Sequence, residues 1–318
     1  MKISVIVPVY NTAKYVRECV ESLAEGFPRD GEILLIDNGS TDESLKVCRD
    51  LARKFKFVKV LEFEESGAAA VRNFGLERAQ GEYVWFVDSD DFVKSGAVEK
   101  LLRRFEETGA DGVVLAMDRV SEDGKELNRP LHTIRTDLDD RKIKKAEWMS
   151  KFVRYGLGPV QVPARREFLL KNKLFFDEGM IHEDMAIMSS YILYTDKLAS
   201  IEEPLYFYRQ RAGSVLHGQE WSERELDIFA ALELLSRRFE KVGQFNKWKA
   251  EIEYFYIWNL LDDAAREFVK FPEGKREFAQ IRHALDSRFP KWRKNKYFRD
   301  CPLAVRVRCR LAYRGIVK

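Results

Sequence analysis

Over the first 117 residues, short apolar runs alternate with segments whose apolar side chains recur every three or four positions. The runs are Ile3–Val9, Ile33–Ile36, Phe57–Phe63, Tyr83–Val87 and Gly112–Met117. Between them lie helical patterns at Thr12–Ala24, Thr41–Phe55, Ala68–Ala79 and a further one after Ser95, with Thr41 and Ser95 as the expected N-caps. Near-continuous apolar runs suit strands covered on both faces. Strands alternating with helices of this length predict an α/β fold with a mainly parallel, doubly wound sheet flanked by helices. Ligands of such sheets sit at the carboxyl ends of the strands. Asn11, Asp37 and Asp88 all fall at those ends.

The run ending at Val87 leads straight into Asp88-Ser89-Asp90-Asp91, three carboxylates within four positions. Acids crowded at the exit of a buried strand repel one another unless water or a cation intervenes. An Asp-x-Asp pair can hold one hard divalent ion and leave positions open for phosphate oxygens, which points to a nucleotide diphosphate. A calcium loop is excluded, because no glycine and no distal glutamate follow at the required spacing. Asp37-Asn38-Gly39-Ser40-Thr41-Asp42 reads locally as a strand end, a glycine turn and a capped helix. Its position on the same rim also lets Asp37 or Asn38 accept the imide N–H of a pyrimidine base.

Beyond residue 118 the pattern loosens. Helices are expected at Lys144–Tyr155, Arg165–Lys171 and Glu183–Tyr194, and short strands at Ala199–Ile201 and Leu205–Arg209. From Ser222 the reading is helical, over Ser222–Lys241, Phe245–Lys270 and Glu273–Arg288. The expected division is therefore 1–117, 118–220 and 221–318. No uninterrupted apolar stretch of about 18 residues occurs, so no spanning helix is expected. The apolar run at the N-terminus is too short for a signal peptide. Cys19, Cys48, Cys301 and Cys309 lack paired short spacing and read as reduced thiols of a cytoplasmic protein. The net charge of +3 hides an asymmetry: Arg282–Lys318 carries twelve Lys/Arg against two Asp/Glu. There, cations interleave with aromatic and aliphatic residues in Phe289–Phe298 and Val305–Arg314. That pattern suits an anionic membrane surface, so the protein is expected in the cytoplasm, peripheral on the inner face of the cell membrane. Nothing else resembles a nucleic-acid module.

Taken together, the motifs resemble family 2 glycosyltransferases. The matching segments are Ile3-Ser-Val-Ile-Val-Pro-Val-Tyr-Asn11, Asp37-Asn-Gly-Ser-Thr-Asp42, Ala70-Val-Arg-Asn73, Asp88-Ser-Asp-Asp91, His182-Glu-Asp184 and Tyr206-Phe-Tyr-Arg-Gln-Arg-Ala-Gly-Ser214. The resemblance covers roughly residues 1–220 and implies a GT-A fold, with a Rossmann-like nucleotide-sugar half at 1–117 and an acceptor half at 118–220. It implies that Pro8 and Tyr10 line the base pocket, with Tyr10 stacking on the pyrimidine. Asp37 and Asn38, with Asn11, would hold base and ribose. Arg72 and Ser89 would sit beside the nucleotide. Asp88 would reach the ribose or the metal's water shell, and Asp90 would ligate Mn²⁺ or Mg²⁺ bridging the diphosphate. Family members often have a second acid where this chain has Asn38, which leaves uridine versus thymidine open. Arg209, Arg211 and His217 are the cationic candidates for the diphosphate. Asp184 is the candidate general base of an inverting transfer, with Glu183 as its neighbour. The implied partners are a nucleotide-sugar donor and a glycan or lipid-linked glycan acceptor, as in assembly of surface polysaccharide or glycolipid.

Two rivals are weaker. A sugar nucleotidyltransferase needs a glycine-rich, basic loop after the first strand, and Pro8–Thr12 supplies neither. A non-catalytic scaffold derived from the same fold has no need of intact Asp88, Asp90 and Asp184.

Overall fold

The computed structural model describes residues 1–65, 67–127, 144–211 and 221–317. These fall into two compact units. The first is drawn from Met1–Trp148, Leu157–Gly179 and Ser190–Ser214, the second from Met149–Gly156, Met180–Ser189 and Val215–Lys318.

The first unit is built on one eight-stranded sheet. Its strands are β1 (Ile3–Val9), β2 (Glu32–Asp37), β3 (Val58–Glu62), β4 (Tyr83–Phe86), β5 (Phe92–Val93), β6 (Gly112–Val120), β7 (Ala164–Arg165) and β8 (Leu198–Arg209). The order across the sheet is β3-β2-β1-β4-β7-β6-β8-β5. The first four strands named in that order pair in parallel, as the alternation predicts. β7 and β5 run antiparallel to their neighbours, and β6 and β8 are parallel. All six residues of β2 are buried, which fits a parallel strand covered on both faces. Helix Ala68–Arg78 packs closely there because its sequence is small. A Cβ on Gly75 would lie 2.5 Å from Ile6 Cγ2 and 2.8 Å from Ile36 Cδ1.

Several local expectations are corrected. The helix expected from Thr12 starts at Val16, after a turn, and the one expected from Thr41 starts at Ser44. Thr41 is not an N-cap, because the residue before the helix is Glu43; its N–H donates to Asn11 Oδ1 (2.8 Å), and Asp42 accepts the N–H of Ser44 (2.9 Å). Ser95 does not cap either, since the residue before helix Ala97–Thr108 is Gly96 in the left-handed region. The two short strands expected near residues 199 and 205 are one strand, β8. Register shifts in its pairing with β6, on either side of Ala116, leave Glu202, Glu203 and Leu205 without a partner in the register. β5 was not anticipated; two residues give too little pattern to read.

The second unit is helical. Asp227–Lys241 precedes Lys249–Trp258, which continues through a π-helical stretch, Asn259–Ala264, into Ala265–Phe268. Phe278–Arg288, Lys296–Asp300 and Leu303–Tyr313 follow. The aromatic residues of the basic tail belong to this unit's interior: Phe289, Trp292, Tyr297 and Phe298 are buried. Asp262, buried in the π-helical stretch, accepts from Arg308 (2.6 Å) and Arg266 (2.6 Å), which ties the last helix down. The four cysteines are free thiols. Burial pushes Cys48 and Cys309 up to about 12, so neither is a nucleophile at neutral pH. Among the described residues, no helix is long and apolar enough to cross a membrane.

Candidate functional site

β1 lies between β2 and β4, where the chain order reverses across the sheet. The carboxyl ends of these three strands therefore open onto a topological switch point. Tyr10–Thr12, Asp37–Asn38 and Asp88–Asp91 follow those ends directly.

The acidic loop after β4 is held from below. Asp91 is almost wholly buried. Its Oδ2 accepts from the Tyr206 hydroxyl (2.6 Å) and its Oδ1 from the Arg209 N–H (2.8 Å). The same Tyr206 oxygen accepts the Asp88 N–H (3.1 Å), so one phenol on β8 joins both ends of the loop. Burial, with Asp90 and Asp88 alongside, holds the Asp91 carboxyl well above its ordinary value. Burial and the neighbouring Asp91 likewise raise the Tyr206 phenol. Arg209 is also buried, and its guanidinium is fully engaged: Nε donates to Asp90 O (2.9 Å), Nη1 to Glu122 O (2.6 Å) and Nη2 to Glu18 Oε2 (2.7 Å). Ser89 is buried too, its hydroxyl accepting from Thr12 Oγ1 (2.9 Å).

Above this base, Asp88 and Asp90 remain partly exposed. Arg72, from helix Ala68–Arg78, donates through Nη2 to Asp88 Oδ1 (3.0 Å). Arg211 donates through Nε to Asp90 Oδ2 (2.5 Å), and its guanidinium carbon lies 5.9 Å from the centre of the Tyr15 ring. Two partly exposed carboxylates thus stand beside two arginines, an arrangement with chemistry for both a cation and anionic oxygens. No group of three His, Cys, Asp or Glu side chains able to hold a metal occurs among the described residues. The donor set fits Mg²⁺ or Mn²⁺ of the kind bound through one or two carboxylates and completed by phosphate and water.

At the neighbouring strand ends, Asp37 is buried with Oδ2 accepting the Ser40 N–H (3.1 Å), while its Oδ1 has no hydrogen-bond partner among the described residues. A buried acceptor left so is costly unless a ligand donor reaches it. Asn38 donates through Nδ2 to Phe63 O (2.9 Å) and Glu65 O (2.7 Å), which orients its amide. Tyr10 is 58% exposed, an aromatic face presented to solvent two residues beyond half-buried Pro8. Asn11, at φ +50°, turns its carbonyl to the Thr41 and Asp42 N–H groups.

Among the residues expected to meet the ligand, the Asn11 side-chain carbonyl, the Ser89 hydroxyl and the Arg209 guanidinium also bond within the rim and support it. Asp91 and Tyr206 stand in the matching motifs, but the sequence pattern assigns them no role of their own and marks Thr12 only as a helix start; the structure makes all three supports of the rim. His217 lies outside the described residues.

Glu183 and Asp184 belong to the second unit, in the first turn of helix Glu183–Tyr194, which begins where the sequence predicts. Both are half-buried. Acids there are favoured by the helix dipole. His182, just before them, adopts φ +65°, a conformation rare for a side-chain-bearing residue and found disproportionately at functional sites. Burial lowers its imidazole below the ordinary value, partly offset by Glu183 and Asp227.

A family model described as Glycosyl transferase family 2 matches residues 4–195. Glycosyltransferase GlyG of Streptococcus pneumoniae is 31% identical over 275 residues, covering 80% of this chain and 90% of that protein. The crystal structure of Staphylococcus aureus TarS 1–349 in complex with UDP-GlcNAc superposes with a TM-score of 0.76 at 23% identity, over 99% of this chain and 90% of the other. A mannosyltransferase of Pyrobaculum calidifontis, in complex with GDP-Man and Mn²⁺, gives a TM-score of 0.53 at 16% identity, over 98% and 86%.

Proposed function

The chain belongs to glycosyl transferase family 2 and has the GT-A fold; from that premise we propose that this glycosyltransferase takes its sugar from a UDP- or dTDP-linked donor bound on the Asp88–Asp90 rim. The observation that carries the reading is the pairing of Asp88 with Arg72 and of Asp90 with Arg211 at the sheet's switch point. Two structural neighbours, solved with UDP-GlcNAc and with GDP-Man and Mn²⁺, support a nucleotide-sugar donor and a divalent ion. Tyr10 offers a face on which a base stacks, and Asp37 Oδ1 an acceptor for a base or ribose donor. Asp90, with Asp88, would hold Mn²⁺ or Mg²⁺, which when bound stabilises the negative charge on the departing diphosphate. Arg211 leaves Asp90 for the phosphate oxygens as the charge balance of the rim changes.

Transfer is inverting. The acceptor hydroxyl oxygen bonds to the anomeric carbon as the bond to the β-phosphate oxygen breaks, and Asp184 takes the hydroxyl proton. Support for Asp184 comes from its motif, its place in a helix first turn and the left-handed His182 before it. The acceptor is a glycan or a lipid-linked glycan, in assembly of surface polysaccharide or glycolipid. The test is a panel of UDP- and dTDP-sugars with Mn²⁺. At least one donor should be hydrolysed slowly without acceptor. Asp184→Asn should lower turnover with acceptor by roughly 100-fold or more, at unchanged UDP affinity. Binding and hydrolysis of none of the donors would overturn the donor assignment, and full activity of Asp184→Asn the base.

A further inference from the structure

The basic tail is not a free arm, yet one face of its last helix has no partner among the described residues. In helix Leu303–Tyr313, Cys309 and Ala312 are buried, and Arg308 is held by Asp262. Leu303, Val307, Arg310 and Arg314 recur at i, i+4, i+7 and i+11, within about 60° of arc on the opposite side. Leu303 is 65% exposed and Val307 43%. Gly315, at φ +77°, turns the chain so that the Ile316 N–H bonds back to Leu311 O (2.9 Å). That places Ile316, 48% exposed, at the end of the same helix. Among the described residues only eight large apolar side chains are exposed, and three stand in these fourteen positions. Arg310 and Arg314 are exposed, with no ion pair among the described residues.

We propose that the Leu303–Val307–Arg310–Arg314 face of this helix, with Ile316, seats the protein on an anionic lipid bilayer. The apolar side chains enter the headgroup boundary, and the arginines meet lipid phosphates. Such a surface holds the protein peripherally on the inner face of the cell membrane. Charge decides against the other occupants. A second copy would oppose arginine to arginine across the contact, and a nucleic acid would leave Leu303, Val307 and Ile316 against water. The tail's buried aromatic residues take no part. The inference stands apart from the transferase reading, because binding is measured without turnover.

The experiment is co-sedimentation of the full chain with vesicles of phosphatidylglycerol and phosphatidylethanolamine, against vesicles of phosphatidylcholine alone. The protein should sediment with the anionic vesicles and be released by high salt. Val307→Glu and Leu303→Glu should each weaken binding about tenfold or more. The pair Arg310→Ala and Arg314→Ala should weaken it roughly 30-fold, at about one kcal/mol per arginine. All of these residues are exposed, so melting curves and donor hydrolysis should match those of the unaltered protein. Equal sedimentation with neutral vesicles would overturn the proposal, as would wild-type binding by Val307→Glu. So would a dimer in analytical ultracentrifugation that Val307→Glu separates, which would assign the face to a second copy.

Discussion

Tyr206→Phe removes one oxygen and leaves the ring that fills the same space. That oxygen donates to Asp91 Oδ2 at 2.6 Å and accepts the Asp88 N–H at 3.1 Å, beneath a loop whose other acids face solvent. A buried hydrogen bond to a carboxylate contributes about 1.5–3 kcal/mol, and an orphaned N–H adds about 1. The expected loss is therefore about 3 kcal/mol, a fall of roughly 6–12 °C in the melting of the first unit. The loop keeps its other ties, Asp91 N–H to Asp88 O, Thr12 to Ser89 and Arg209 to Asp90 O, so the sheet should survive. What loosens is the spacing of Asp88 and Asp90. Calorimetric titration with UDP should show about a tenfold weakening in Mn²⁺, equivalent to 1.4 kcal/mol, and little change in EDTA. A melting temperature within a degree of the unaltered protein would refute the reasoning. So would an equal loss of UDP affinity with and without the ion, since the phenol would then not act through the acidic loop.

Other perturbations probe separate links. Arg211→Ala removes the cation that now pairs with Asp90; Mn²⁺ alone, followed by electron paramagnetic resonance, should bind more tightly while UDP binds more weakly, and a parallel change in both would contradict the exchange. Gly75→Ala forces a methyl into contact with Ile6 and Ile36 and should cost about 1–3 kcal/mol in urea unfolding, whereas an unchanged midpoint would show that the helix can shift. His182 is lowered in the folded chain by burial, so between the ordinary value of about 6.5 and its folded value the unfolded chain binds more protons. Stability is then complete above that window and falls as pH drops through it; His182→Gln should flatten the decline between pH 7 and 5, and an identical decline in both proteins would exclude the imidazole as its source.

The parallel half of the sheet was legible because its strands are buried on both faces and its helices carry a single apolar stripe. The ends of elements were less so. Thr41 has the chemistry of a cap, but the helix starts three residues later at Ser44, and Thr41 instead bonds through its N–H to Asn11, thirty positions earlier. Arg209 and Arg211 look equivalent in sequence. Arg209 ends β8 and is buried beneath the acidic loop, while Arg211 lies past the strand's end at the rim, a distinction that needs the strand's boundary. The basic tail was legible only in part: its aromatic residues Phe289, Trp292, Tyr297 and Phe298, interleaved with cations in the sequence, fill the interior of the helical unit. Burial supplied by distant elements leaves no mark in a local pattern.

Anomalous diffraction from crystals soaked with UDP and Mn²⁺ tests the acidic rim most directly. A manganese peak is expected at the Asp90 carboxylate and the diphosphate oxygens, with the base against Tyr10 and Arg211 moved off Asp90. Ordered UDP with no manganese near Asp88 or Asp90, or UDP bound away from these strand ends, would contradict that arrangement.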